Sequence, residues 1–288
     1  MKVSNTTAIL LLSAPDRKGL TAFLTDLIFK SNGNIVDLQQ HVDRNDKLFF
    51  MRLVWEMDGF LIEKTAVHNW LEKNIPKELC LKWQVHFSDE ILRMAVFVSI
   101  EAHCLYDIIS RVESLDWPIV LPLIIGNHRN LQSIAERYGI TFQFHDITAE
   151  NKTRQEEKIL ATLKEKQIDF IVLARYMQIL TTALTDPYAN KIINIHHSFL
   201  PAFPGSKPYH SAFQRGVKII GASSHYVTPE LDSGPIIAQD VISVTHLDSV
   251  GDFIRKGKDI EKLVLSRAIS AHVQHKILVS NNRTIVFY

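Results

Sequence analysis

The chain has 288 residues, which fits about two domains of the usual roughly 100–200 residues, and 46% of them are hydrophobic, ample for buried cores. Its 32 Lys and Arg side chains balance 31 Asp and Glu with no charge run, so it lacks the electrostatic footprint of a nucleic-acid or membrane-surface binder. A small molecule is therefore the expected partner. Cys80 and Cys104 stand alone, which excludes a disulfide framework or a CxxC metal knuckle and fits a reducing compartment.

The start, with its apolar run Ala8 to Ala14, faintly resembles a secretory leader, but the run is at the short limit and the Asp16-Arg17-Lys18-Gly19 that follows suits a strand entering a turn better. No stretch approaches the roughly 18 apolar residues of a membrane span. A cytoplasmic protein is expected. After the turn, Leu20, Phe23, Leu24, Leu27 and Ile28 recur at helical spacing until Asn32-Gly33. Ile35 to Val42 and Leu48 to Trp55 then flank the turn-rich Arg44-Asn45-Asp46 as a hairpin, a helix is expected over Leu61 to Leu71, and a strand over Lys82 to Phe87. Strand, helix, strand, strand, helix, strand resembles the ferredoxin-like arrangement. With Pro15 to Leu20 after the first strand and Asn34-Ile35 opening the second, residues 1–90 look like an ACT domain, a family of small modules that bind amino acids. That resemblance implies a homo-oligomer, dimer or tetramer, with a small amino-acid effector held by Asp16, Gly19, Asn34 and Ile35.

Residues 91–288 change pattern. Ala95 to Val98, Ile119 to Ile125, Phe170 to Leu173 and Ile192 to Ile195 read as short apolar strands. They alternate with helical stretches at Leu105 to Val112, Leu131 to Tyr138 and Glu156 to Lys166, the signature of an α/β domain with a mostly parallel sheet. β-rich segments follow at Ala222 to Val227 and Ile236 to Val244, and a long helix at Ile254 to Val273.

The chemistry concentrates in Asn194-Ile195-His196-His197-Ser198-Phe199-Leu200-Pro201 and Leu231-Asp232-Ser233-Gly234-Pro235. In a strand Asn194 and His196 share a face and His197 points away, so His196 is the expected working imidazole. An amide donor and a histidine backed by the Asp232 carboxylate can hold a developing oxyanion, and the carboxylate can order or deprotonate a water. Gly221-Ala222-Ser223-Ser224-His225 is no nucleophile elbow, because His225 stands where that motif needs glycine. Cys104, at a predicted helix start, reads as a buried inert thiol rather than an activated one. His196 and His197 would face opposite ways, and His103, His128 and His210 lie far apart in sequence, so no zinc spacing is supported.

Ala174-Arg175-Tyr176-Met177-Gln178-Ile179-Leu180, the Asn194 to Pro201 run, Lys207-Pro208-Tyr209-His210, Arg215 to Lys218, His225 to Thr228, Leu231 to Pro235 and Gly257 to Lys262 together resemble the formyltetrahydrofolate deformylase family, over nearly the whole chain. The resemblance implies a Rossmann-like formyltransferase-type domain behind the ACT domain. The implied activity is hydrolysis of 10-formyltetrahydrofolate to formate and tetrahydrofolate, which balances one-carbon folate pools and supplies formate for purine biosynthesis. No cofactor beyond the folate substrate and no metal are implied. Asn194, His196 and Asp232 fall on the family's catalytic residues, and Met177, Gln178, Ile179, Leu180, Val227 and Leu231 on its folate-binding loops.

Two other readings remain: a formyltransferase with an amine acceptor, and a non-catalytic amino-acid or folate sensor. An amine acceptor carrying phosphate would call for a glycine-rich loop after the first strand of the second domain. Ser99 to Asp107 has no glycine and carries Glu101 and Asp107, although it departs from the deformylase pattern at Ile100, where a lysine is expected. A sensor has no need of an intact Asn194, His196 and Asp232.

Overall fold

The computed structural model describes residues 6–79, 81–201 and 208–288. Cys80 and Lys207 lie outside the described residues. The chain divides into two compact units. One runs to Glu90 and also takes in Gln274–Ser280 and Ile285–Tyr288, and the other is Ile91–Val273 with Asn281–Thr284. The last residues thus do not all group with the second unit, as a single cut at residue 90 would have them.

In the first unit β1 (Thr7–Pro15), α1 (Leu20–Lys30), β2 (Ile35–Asp43), β3 (Leu48–Glu56), α2 (Val67–Asn74) and β4 (Lys82–Phe87) build one antiparallel sheet in the order β2-β3-β1-β4. The second helix starts later than its apolar spacing predicts, because Lys64–Ala66 form a single 3-10 turn first. One sheet face packs Leu10, Leu12, Met51, Leu53 and Trp55 with Leu24, Ile28 and Leu71 from the helices. The other face was not assigned a cover from sequence. Leu11 and Phe50 there are buried with Phe287, Leu278 and Ile285 from the chain's end. Beside them Arg52, 7% exposed, pairs with Asp37 at 2.5 Å and donates to the carbonyl of His275 at 3.1 Å.

In the second unit β5 (Leu92–Val98), α3 (His103–Glu113), β6 (Ile119–Gly126), α4 (Gln132–Arg137), β7 (Thr141–Phe144), α5 (Lys152–Glu165), β8 (Phe170–Ala174), α6 (Thr182–Thr185) and β9 (Ile192–His196) come first. Next are α7 (Pro208–Arg215), β10 (Ile219–Tyr226), β11 (Ile236–Ser243) and α8 (Val250–Val273). The seven strands lie in the order β11-β10-β9-β8-β5-β6-β7. β5 to β9 pair in parallel, and β10 and β11 add an antiparallel edge. Ala95, Phe97, Ile171, Leu173 and Ile192 pack against Ile159 and Leu163 of α5, while the alternate residues Met94, Val96, Val172 and Ile193 are equally buried. Burial on both faces explains why these strands read as unbroken apolar runs. A hairpin of β12 (Ile277–Ser280) and β13 (Arg283–Val286) ends the chain. Among the described residues no helix is long and apolar enough to cross a membrane.

Candidate active site

In an open α/β sheet the carboxyl ends of parallel strands are where ligands bind, and here β8 and β9 end at a cavity of about 300 Å3. Asn194, His196, Asp232 and all six expected folate-contacting residues, Met177, Gln178, Ile179, Leu180, Val227 and Leu231, line it. Met177, Ile179 and Leu231 are each more than half exposed, so they offer apolar surface to a ligand, whereas Leu180 is buried in the core.

Asn194 and His196 are fixed by the β9 backbone. Its pairing with β10 sets Asn194 opposite His225 and His196 opposite Ser223. The hydroxyls of Ser223 and Ser224 are spent on backbone: Ser223 donates to the Ser198 carbonyl and Ser224 to that of Asn194, both at 2.9 Å. Asp232 arrives on the loop between β10 and β11, with a left-handed φ of 52°. The loop closes tightly, since a Cβ on Gly234 would lie 1.8 Å from the Tyr226 carbonyl oxygen. Only glycine permits that approach.

The geometry joins the two segments. His196 Nδ1 stands 3.3 Å from Asp232 Oδ2, and His225 Nε2 stands 3.6 Å from Oδ1. Hydrogen bonding to His196 and then His225 holds the Asp232 carboxyl well below the ordinary carboxylate range, against the opposing effect of its partial burial. The site therefore carries a fixed negative charge. With Nδ1 turned to Asp232, Nε2 of His196 is buried with no partner among the described residues, the atom left for a substrate.

His225 belongs to the site, and the sequence reading missed it. Its Nδ1 donates to the Tyr226 carbonyl at 2.9 Å, and its Nε2 lies 3.2 Å from the Asn194 amide nitrogen. A neutral ring accepts from that amide, while a protonated ring donates to Asp232, so His225 links the amide's orientation to the carboxylate. The β10–β11 register skips Ile237 at this residue. Bulges of that kind re-aim side chains beside active sites. The available signal is a histidine inside a β-rich segment, seven residues before Asp232.

His197 corrects the alternation argument. β9 ends at His196, so His197 is not held to the opposite face and it lines the same cavity. Its ring centroid is 5.0 Å from that of His196 at an interplanar angle of 34°. Burial first, then the charges of Arg175 and His196, lower its pKa to about 4. Its ring is thus neutral at physiological pH.

Ser99 to Asp107 forms no anion cradle. Ser99 is buried and holds Asn127 at 2.6 Å and the Met177 N–H at 3.0 Å, and Glu101 pairs with Lys258 at 2.5 Å. Cys104 is buried in α3, and desolvation, then Glu261, push its thiol well up, away from the reactive thiolate. Among the described residues two groups bring three possible metal-ligand atoms together: His103, Cys104 and Glu261, and, in the first unit, His86, Glu90 and His275. In the first, Glu261 is already engaged by His103 and Tyr209. In the second, the imidazoles stack at 3.7 Å and 5°, so one ion cannot lie in both ring planes.

The four expected effector residues are not assembled within one chain. Asp16 and Gly19 lie where α1 begins, Gly19 at φ 92°, and the Asp16 N–H donates to the Lys47 carbonyl at 2.8 Å. Asn34 and Ile35 lie past the helix's other end, Asn34 donating to Glu56 at 2.6 Å and Ile35 paired with Trp55.

The sheet and the helices around it fall in a known class: the sequence profile of the family Formyl transferase matches residues 92–269. Glycinamide ribonucleotide transformylase 1 from Symbiobacterium toebii superposes with a TM-score of 0.65 at 26% identity, over 70% of this chain and 97% of its own. Longer matches divide the class. A formyltetrahydrofolate deformylase of Synechocystis sp. is 50% identical over 99% of this chain and 100% of its own length, and one of Bacillus subtilis 38% identical over 96% and 93%. The crystal structure of a formyltetrahydrofolate deformylase from Pseudomonas syringae pv. tomato superposes with a TM-score of 0.96 at 38% identity, covering 100% of this chain and 96% of its own. The chain belongs to the formyltetrahydrofolate deformylase family.

Proposed function

We propose that this protein hydrolyses 10-formyltetrahydrofolate to formate and tetrahydrofolate, with Asn194, His196 and Asp232 as its catalytic residues. The observation that carries the assignment is the His196–Asp232 pair at 3.3 Å, which leaves His196 Nε2 unpartnered in the cavity. Attack of water on the formyl carbon turns its carbonyl oxygen into an oxyanion, which the Asn194 amide and His196 Nε2 stabilise by hydrogen bonds that strengthen as charge builds. The ionised Asp232 supports a protonated His196, which donates to the oxyanion from Nε2, and it accepts a proton from the attacking water. Collapse of the intermediate breaks the C–N bond as the folate nitrogen takes a proton. Met177, Gln178, Ile179, Leu180, Val227 and Leu231 hold the folate, with no cofactor or metal involved. Water as the acceptor is supported by the Ser99 to Asp107 segment, whose acidic, side-chain-filled course offers no cradle to a phosphorylated amine. Formate release from 10-formyltetrahydrofolate, with no acceptor and in the presence of a chelator, tests the proposal. Turnover that requires an amine acceptor or an added metal overturns it.

The first unit we assign as an ACT-type module that makes the cytoplasmic enzyme a homo-oligomer, dimer or tetramer, responsive to a small amino acid such as glycine or methionine. Because Asp16 and Gly19 stand at the other end of α1 from Asn34 and Ile35, a site using all four requires one copy's helix start to meet another copy's β2 start. Kinetic titration with both amino acids, beside sizing of the protein in solution, tests this. A monomer, or an absence of response, refutes it. Hydrolysis would set the ratio of free to formylated folate and supply formate for purine synthesis.

A further inference from the structure

One wall of the cavity has no part in the scheme above. Arg175 follows the last residue of β8 with φ at 62°, a left-handed conformation that is strained for a non-glycine residue. Such strain persists where the surroundings over-determine it, and it clusters at ligand sites. The restraint here is Glu261 of α8, whose side chain is 1% exposed and which lies 3.6 Å from Arg175 Nε. Glu261 also accepts from the Tyr209 hydroxyl at 2.5 Å and pairs with His103 at 2.8 Å. Its carboxylate is thus held by three elements, and the arginine is steered electrostatically without a hydrogen bond. Nε and Nη1 of Arg175 have no hydrogen-bond partner among the described residues, nor does His197 Nε2, and both residues line the cavity. Buried donors left unpaired carry a desolvation cost, which a bound acceptor recovers.

The Arg175 guanidinium, with an unpartnered N–H on each of two edges, and the neutral His197 imidazole beside it fit a small anion with two acceptor oxygens. The reaction makes one such species: the water oxygen bonds to the formyl carbon, the C–N bond breaks, one water proton goes to the folate nitrogen and the other leaves to solvent by way of Asp232. A neutral amide becomes a carboxylate. We propose that Arg175 and His197 form a subsite that receives the formate ion as it is produced. The proposal rests on the hydrolase reading for the ligand's identity.

The test uses the full-length protein and two measurements. Line broadening of 13C-formate reads binding without turnover, and steady-state kinetics read product inhibition by formate and by tetrahydrofolate separately. Arg175→Gly removes the guanidinium and relieves the backbone strain. It should weaken formate binding and formate inhibition about tenfold or more while tetrahydrofolate inhibition stays within about twofold. Arg175→Lys, which keeps the charge and loses the separate guanidinium donors, should fall between. Unchanged formate binding in both variants overturns the subsite, as does wild-type protein that leaves the formate signal sharp at about 100 mM, or displacement of formate by equimolar chloride. A formate signal broadened by wild-type protein and restored in Arg175→Gly, without any hydrolysis, keeps the subsite and refutes the hydrolase reading instead.

Discussion

Replacing His197 by glutamine should flatten the acid dependence of stability in the catalytic unit. The imidazole is 7% exposed, and burial beside Arg175 and His196 lowers its pKa from 6.5 to about 4. A depressed histidine is neutral in the folded chain and protonated in the unfolded one between those values, so the unfolded state binds more protons and stability falls as pH falls from 6.5 toward 4. At about 1.4 kcal/mol per pH unit the full window is worth about 3 kcal/mol, of which about 2 kcal/mol is lost between pH 7 and pH 5. The assay is amide hydrogen exchange of the β9 peptide, corrected for intrinsic rates, at those two pH values. Wild-type protection should fall about twentyfold more than that of His197→Gln, which has no proton to gain. Lower overall stability of the variant does not matter, because the readout is the difference in slope. Parallel loss of protection in both proteins would refute the assignment of a buried neutral imidazole.

Asp232→Asn should lower kcat by about a hundredfold to ten-thousandfold while tetrahydrofolate affinity, read by fluorescence titration, changes little, since charge is removed and shape kept. Equal losses in both would make Asp232 a structural residue. Gly257→Ala places a methyl 2.2 Å from Cζ of Tyr209 and 2.3 Å from its hydroxyl, so the ring must leave Glu261. The expected cost is about 1–3 kcal/mol, read in denaturant, and wild-type stability would refute that packing. Arg52→Met should destabilise the first unit by about 1 kcal/mol and raise proteolysis of residues 274–288, because the His275 carbonyl loses a donor and the half-exposed Asp37 its ion pair. Unaltered cleavage there would show that Arg52 does not hold the chain's end.

The apolar runs betrayed the strands because burial on both faces leaves no polar position to break them, as in Val172 and Leu173 of β8. β7 has only four residues with no fully buried side chain, and it gave no such run. The terminal hairpin, β12 and β13, is likewise short, with no fully buried side chain in either strand. The second helix of the first unit was drawn too early because Leu61 and Ile62 continue its apolar pattern, yet Leu61 is 70% exposed. Periodicity counts apolar residues and cannot tell which of them a tertiary neighbour covers.

The site was legible where one strand carried it and illegible where strands had to meet. Asn194 and His196 share a face by the two-residue repeat alone, and Asp232 is the carboxylate of the loop before Gly234, which the structure closes too tightly for a larger residue there. His197 was misplaced by the same repeat, since the strand stops one residue before it. His225 and Arg175 depended on partners far off in sequence: Asn194 across an antiparallel pair in one case, Glu261 on the last helix in the other. Arg175 ends an apolar strand and His225 lies buried in a strand after two serines, each at a cost in desolvation. A group of that kind is retained only if something compensates it, and at His225 the compensation is visible in Tyr226, Asn194 and Asp232. At Arg175 the protein compensates in part, through one long pair to Glu261. The remainder of that compensation is the energy available to a ligand, so the residue least explained by folding is the one whose substitution should be felt most in what the cavity holds.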